Sequence, residues 1–141
     1  MAQFYKLKVK SIIRTTDDCV LIAFHVPEEL KPIFNYTQGQ YLTLKANINN
    51  EHVQRSYSLC SSPLDNEWQV GIKKVIGGRF STYANEVLKV GDTLDALAPN
   101  GNFYVDVDPL KKRNYVCFAA GSGITPMVSI IKTQMLMATV M

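Results

Sequence analysis

The sequence predicts an all-β domain, a six-stranded antiparallel barrel with one short helix, followed by the first strand and helix of an α/β unit. Three observations predict it. Apolar residues alternate with polar ones in six short stretches separated by turn residues, the period of a half-buried strand. The spacing switches to three and four only once in the first hundred residues, just after Gly77-Gly78. Residues 115–120 then form a nearly unbroken apolar run leading into Gly121-Ser122-Gly123, as a strand covered on both faces would before a nucleotide-binding turn. The chain therefore divides into residues 1–108, the barrel, and residues 109–141, the start of an incomplete second domain.

Taken in order, Tyr5, Leu7 and Val9 alternate with lysines as a strand with one wet face. The polar run from Arg14 to Asp18 is a turn, and residues 19–26 return as the second strand. Pro27 and Pro32 leave room between them for a turn or a single helical coil. Residues 40–44 form the third strand, residues 47–50 a polar loop, and residues 53–59 the fourth strand. Trp68, Val70 and Ile72 mark the fifth. A helix runs from Ser81 or Thr82 to about Leu88, Gly91-Asp92 turns the chain, and residues 93–98 complete the set. Beyond them Met127, Ile130, Ile131 and Leu136 recur at helical spacing. One β–α unit cannot bury its own apolar faces, so the remainder of that second domain is expected to lie outside this sequence.

Composition narrows the function. A net charge of +3 over 141 residues, with basic residues clustered only at Lys111-Lys112-Arg113, excludes the basic stripe of a nucleic-acid binder. No apolar window is long enough to span a membrane, and the N-terminus lacks the pattern of a signal peptide. Three widely spaced cysteines offer no metal-ligand pairing and point to a reducing, cytoplasmic setting. His25 and His52 fall in unrelated patterns and are not read as catalytic.

Two stretches carry the chemistry. Residues 54–60 place a fork of guanidinium donors at Arg55, hydroxyls at Ser56 and Ser58, and a flat ring at Tyr57 on extended chain. Gly77 and Gly78 let the backbone approach an anion closely at a helix start, where unsatisfied N–H groups point outward and Arg79, Ser81 and Thr82 add charge and donors. Such a pair suits a planar ring with a phosphate tail. Alternation along a strand puts Arg55 and Tyr57 on one face and Ser58 on the other, so the chain must turn for all three to meet one ligand. A rim arginine beside a packed tyrosine, and a glycine turn that merely caps a helix, are the plain alternatives.

Arg55-Ser56-Tyr57-Ser58, Gly77-Gly78-Arg79-Phe80-Ser81, the stretch from Gly91-Asp92 to Pro99-Asn100-Gly101, and Gly121-Ser122-Gly123-Ile124-Thr125-Pro126, in that order, resemble the ferredoxin–NADP reductase superfamily, in particular the reductase components of bacterial oxygenases. The resemblance implies a flavin-binding barrel that holds FAD, ahead of FMN, followed by a nicotinamide-nucleotide domain. By the same resemblance Arg55 binds the flavin pyrophosphate, Tyr57 stacks on the isoalloxazine, and Ser58 serves the N5 region, making Tyr57 and Ser58 the catalytic candidates. Gly77, Gly78 and Ser81 close over the pyrophosphate, with Ser56, Arg79 and Thr82 beside them, and Gly121, Gly123 and Thr125 match the turn near the nicotinamide. Cys60 replaces a position that is often serine. The implied reaction takes hydride from NAD(P)H to FAD and passes single electrons to an iron–sulfur or oxygenase partner. These 141 residues alone are expected at most to bind flavin, and to self-associate through Phe118, Ile124, Met127, Ile130 and Ile131. A stand-alone flavin-binding barrel and a non-catalytic β-barrel interaction module are the competing readings.

Overall fold

The computed structural model describes residues 2–139, so residues 140 and 141 of the expected second unit lie outside it. Among the described residues there are six antiparallel strands: β1 (Tyr5–Thr16), β2 (Cys19–His25), β3 (Tyr41–Ile48), β4 (Glu51–Ser58), β5 (Trp68–Lys73) and β6 (Thr93–Ala96). Three α-helices accompany them: a single turn α1 (Lys31–Phe34), the short α2 (Arg79–Glu86) and α3 (Ile124–Thr139).

The sheet does not close into a barrel. Its order is β4-β3-β6-β1-β2-β5, and the terminal strands β4 and β5 are joined, among the described residues, only by the isolated bridge between Leu59 and Val70 and the nearby bond from Cys60 N–H to the Gln69 carbonyl (2.8 Å). The expected closure fails because β4 ends at Ser58 and only the two residues after it reach β5, while α2 packs against β3, β4 and β5. Alternating strands fill a core in which Leu7, Ile22, Phe24, Leu42, Leu44 and Leu94 are almost wholly buried.

Strand limits moved for local reasons. β1 continues to Thr16, seven residues beyond the expected Val9, because register shifts after Val9 and after Arg14 each insert one residue and let the strand bend as it pairs first with β6 and then with β2. The turn shrinks to Asp17-Asp18. The loop between β3 and β4 is likewise only Asn49-Asn50, with φ of 51° and 63°, the left-handed pair that a two-residue hairpin needs. After β6 the chain is drawn back over the sheet by Gln38, 1% exposed, whose amide donates to the Val105 carbonyl and accepts from the Val105 N–H.

The expected strand at residues 115–120 does not form: this segment is exposed and without regular secondary structure, and among the described residues no strand pairs with it. The helix after it does form. α3 docks on residues 61–65 through polar contacts: Ser129 Oγ donates to the Ser61 carbonyl (2.6 Å), Ser62 Oγ lies 2.8 Å from Thr133 Oγ1, and Lys132 Nζ lies 2.9 Å from Asp65 Oδ2. Ile130 is therefore buried, against the expectation that it is uncovered, whereas Ile124 and Ile131 are exposed. Burial raises the pKa of Asp65, but the Lys132 hydrogen bond and the Ser62 N–H outweigh it and hold the carboxyl below the usual range.

The same region holds a buried hydroxyl network. The Tyr36 hydroxyl lies 2.8 Å from Ser61 Oγ and 2.8 Å from the Glu67 carbonyl, and Ser61 Oγ accepts from the Gln69 N–H at 3.1 Å. Burial pushes the Tyr36 pKa above that of a free phenol, with the Ser61 hydrogen bond pulling the other way. The folded state thus keeps its proton after the unfolded chain has lost it, and stability falls as pH rises above the unfolded value of about 10. Tyr36→Phe should cost about 1–2 kcal/mol at neutral pH by urea denaturation and flatten the decline above pH 10; an unchanged alkaline slope would remove Tyr36 as its source.

Candidate functional site

β4 and the start of α2 form two walls of one cleft. On β4, Arg55 and Tyr57 lie opposite Leu44 and Leu42 in the register and so share the inward face with the buried Val53, while Ser56 lies opposite Thr43, its Oγ 2.8 Å from Thr43 Oγ1. Past Val53 the inward face opens, leaving Arg55 exposed and Tyr57 half-buried. The Tyr57 ring is backed by Phe80 of α2, with ring centroids 5.7 Å apart and planes inclined by 38°. Burial raises the Tyr57 pKa, and the Arg55 charge partly offsets the rise, so the phenol is neutral at physiological pH.

α2 supplies the second wall. Gly78 is its N-cap and offers no side chain to the helix start; the first bond back to it is from the Thr82 N–H to the Gly78 carbonyl (3.2 Å). The N–H groups of Arg79, Phe80 and Ser81 precede that bond and lack a side-chain cap, an arrangement that favours an anion. Gly78 is needed for a steric reason: a Cβ there would sit 2.4 Å from Ser81 Oγ and 3.0 Å from the Val75 carbonyl oxygen. Gly77 is needed for a conformational one, with φ of +76° and open space around it.

The cleft encloses about 390 Å³, within the range of small-molecule sites, and brings Arg55, Ser56, Tyr57, Gly78, Arg79 and Ser81 together. Gly77 and Thr82 line a neighbouring cleft of about 510 Å³ that shares Gly78 and Arg79 with the first. Between the two, Arg79 is tied to the β3–β4 hairpin, its guanidinium 2.8 Å from Glu51 and 3.5 Å from the Ile48 carbonyl. Ser81 Oγ is also engaged, accepting from the Val75 N–H at 3.0 Å. Ser58 lies outside the lining, at the end of β4 opposite Tyr41.

The Gly121–Gly123 turn reaches the cleft through Ser122, with Gly121 and Gly123 outside the lining. Thr125 turns its hydroxyl to the Ser122 carbonyl (2.9 Å), and its methyl would meet a Cβ placed on Gly71 at 3.1 Å. Gly71, Lys73, Val75 and Phe80 complete the lining and were not among the residues the sequence singled out for binding. A glycine in the middle of β5 was the available signal, since it marks close approach of another group. Phe80 was legible only as a helix-spacing residue.

Two outcomes follow from this geometry. Gly77→Ala should cost about 1–2 kcal/mol in urea denaturation from backbone strain alone. Gly78→Ala should cost about 1–3 kcal/mol, and Ser81→Ala in the same chain should recover part of it; purely additive effects would exclude the Ser81 clash. The Cys60 thiol is buried, lies 3.4 Å from the Gln69 carbonyl and is pushed up to about 11 by burial. Alkylation at pH 8 followed by mass spectrometry should therefore modify exposed Cys117 before Cys60, and equal rates would contradict the burial.

A family model described as an oxidoreductase FAD-binding domain matches residues 6–104. Among curated proteins, a component of the 1,2-phenylacetyl-CoA epoxidase of Escherichia coli is 42% identical over 135 residues, 96% of this chain and 38% of its own length. The ferredoxin reductase component of 3-ketosteroid-9-alpha-monooxygenase from Rhodococcus rhodochrous is 37% identical over 131 residues, 92% of this chain and 36% of its own length. The chain thus spans little more than a third of these relatives. Among solved structures, the flavohem-like FAD/NAD-binding domain of nitric oxide dioxygenase from Vibrio cholerae superposes with a TM-score of 0.79 at 26% identity, covering 94% of this chain and 57% of that one. Phthalate dioxygenase reductase gives 0.75 at 26% identity, with 94% and 40% covered. With 99 of its 141 residues inside the family model, the chain belongs to the oxidoreductase FAD-binding domain family.

Proposed function

We propose that this chain is the flavin-holding part of an NAD(P)H-dependent electron-transfer oxidoreductase, which takes hydride from the nicotinamide and passes single electrons to an iron–sulfur or oxygenase partner. The observation that carries the proposal is the convergence of Arg55, Tyr57 and the uncapped start of α2 on one cleft of about 390 Å³. The donor set fits FAD: a guanidinium and three backbone N–H groups for a pyrophosphate, and a half-exposed ring for a flat heterocycle. When bound, the flavin supplies the conversion of a two-electron hydride into single electrons.

The chain's own residues hold and orient. Arg55 and the N–H groups of Arg79, Phe80 and Ser81 counter the phosphate charge, with Ser56, Gly77, Gly78 and Thr82 shaping the walls. Tyr57, braced by Phe80, offers its ring to the heterocycle. We assign Ser58, with Tyr57, to the reacting edge, and Gly121, Gly123 and Thr125 to the side from which a nicotinamide approaches. Residues 109–141 are read as the opening of that nucleotide-binding unit, on the exposed apolar side chains of Ile131, Met135 and Leu136 along α3. Exposed Phe118, Ile124 and Ile131 also support self-association of this chain. The three free thiols support a cytoplasmic setting. Among the described residues no helix is long and apolar enough to cross a membrane.

The partner assignment leans on the oxygenase-linked names of the relatives, one of which is itself a ferredoxin reductase component. The test is equilibration of the chain with FAD, desalting, and measurement of the flavin absorbance retained. Retention is expected, with Arg55→Ala weakening FAD roughly tenfold or more by loss of a charge-assisted bond. A folded chain that retains no flavin, or an Arg55→Ala variant that binds as tightly as the parent, would overturn the reading of the cleft.

A further inference from the structure

α2 has eight residues, about 12 Å of helix, and cannot hold its own direction. Its aim is set by tethers: besides the Arg79–Glu51 and Glu86–Lys74 ion pairs at its two ends, two of them meet at Asn85, a residue 8% exposed that lines neither of the clefts described above. Asn85 Nδ2 donates to the Ile72 carbonyl at 3.0 Å, in the terminal strand β5, and to the Ser81 carbonyl at 2.9 Å, one turn back along the helix. Ser81 in turn accepts the Val75 N–H on its Oγ, which fixes the loop that leads into Gly77-Gly78. The Asn85 backbone carbonyl is held by Arg14 Nη2 at 2.6 Å, and Arg14 Nη1 reaches the Asp17 carbonyl at 3.2 Å in the β1–β2 turn. A cation there also suits the negative end of the helix.

Among the described residues Asn85 Oδ1 has no hydrogen-bond partner, although it is buried. An unsatisfied buried acceptor is unfavourable, and an apolar side chain of similar size would avoid it. What the amide provides in exchange is two donors that tie the helix to the sheet and to its own first turn. We infer that Asn85 is a positioning residue: by holding Ile72 and Ser81 it aims the Arg79, Phe80 and Ser81 N–H groups into the cleft, and so sets affinity for the phosphate portion of a flavin without touching it.

This rests on the flavin reading above, and the test separates the two. In the 141-residue chain, Asn85→Leu and the parent are titrated with riboflavin, FMN and FAD by fluorescence, and amide exchange is followed in ligand-free protein. FMN and FAD should weaken roughly tenfold while riboflavin, which has no phosphate, stays within about twofold. Exchange at residues 79–81 should quicken without ligand. Parallel weakening of all three flavins, or no change in any, overturns the inference, as does unchanged exchange at those amides. Should Asn85→Leu fail to fold, Arg14→Ala loosens the same end of the helix and is expected to show a smaller loss with the same selectivity; a uniform loss there overturns it equally. A parent chain that binds no flavin overturns the flavin reading and the inference with it.

Discussion

Two strand edges that no ladder joins govern the rest of this structure. β4 and β5 each leave backbone groups that need partners, and a long open edge is a template for unwanted pairing. The chain covers the gap with α2 and with the residues after Ser58, instead of lengthening the ladder. That solution has a chemical by-product. A helix laid into the gap brings its positive end beside the open stretch of the neighbouring strand, where Arg55 and Tyr57 leave the core. The cover over the open edge and the candidate cleft are therefore the same arrangement seen from two sides, and Ser81 shows it by facing the cleft while its hydroxyl holds the Val75 N–H.

The outline was legible in the sequence because alternation and turn residues are local signals. All six strands and α2 fell close to where the apolar period placed them, and the Arg55–Tyr57 run and Gly78 were brought to one cleft, with Gly77 in the next. What escaped depends on distant partners. Strand number does not dictate closure, so the open sheet could not be read from six alternating stretches. Residues 115–120 have strand composition, but a strand exists only with a neighbour to bond. The length of β1 was hidden by two bulges that break the period its sequence should show. At the cleft, Arg79 carries the charge that was expected, yet Glu51, twenty-eight positions earlier, holds it on the hairpin side. Asn85, a polar residue in a short helix, reads as ordinary solvent-facing sequence until Ile72 and Arg14 are seen around it.

Apolar contacts resist separation but let surfaces slide, whereas hydrogen bonds also resist rotation. That distinction bears on α3, whose seam with residues 61–65 is made of Ser129, Thr133 and Lys132 meeting Ser61, Ser62 and Asp65. Its sixteen residues make a rod of about 24 Å. That seam sits at the middle of the rod, about 12 Å from either end, so a tilt of roughly 10° about it would move each end by about 2 Å, enough to spoil the geometry of a hydrogen bond built there. The polar seam works as an angular index, fixing the direction of α3 against residues 61–65.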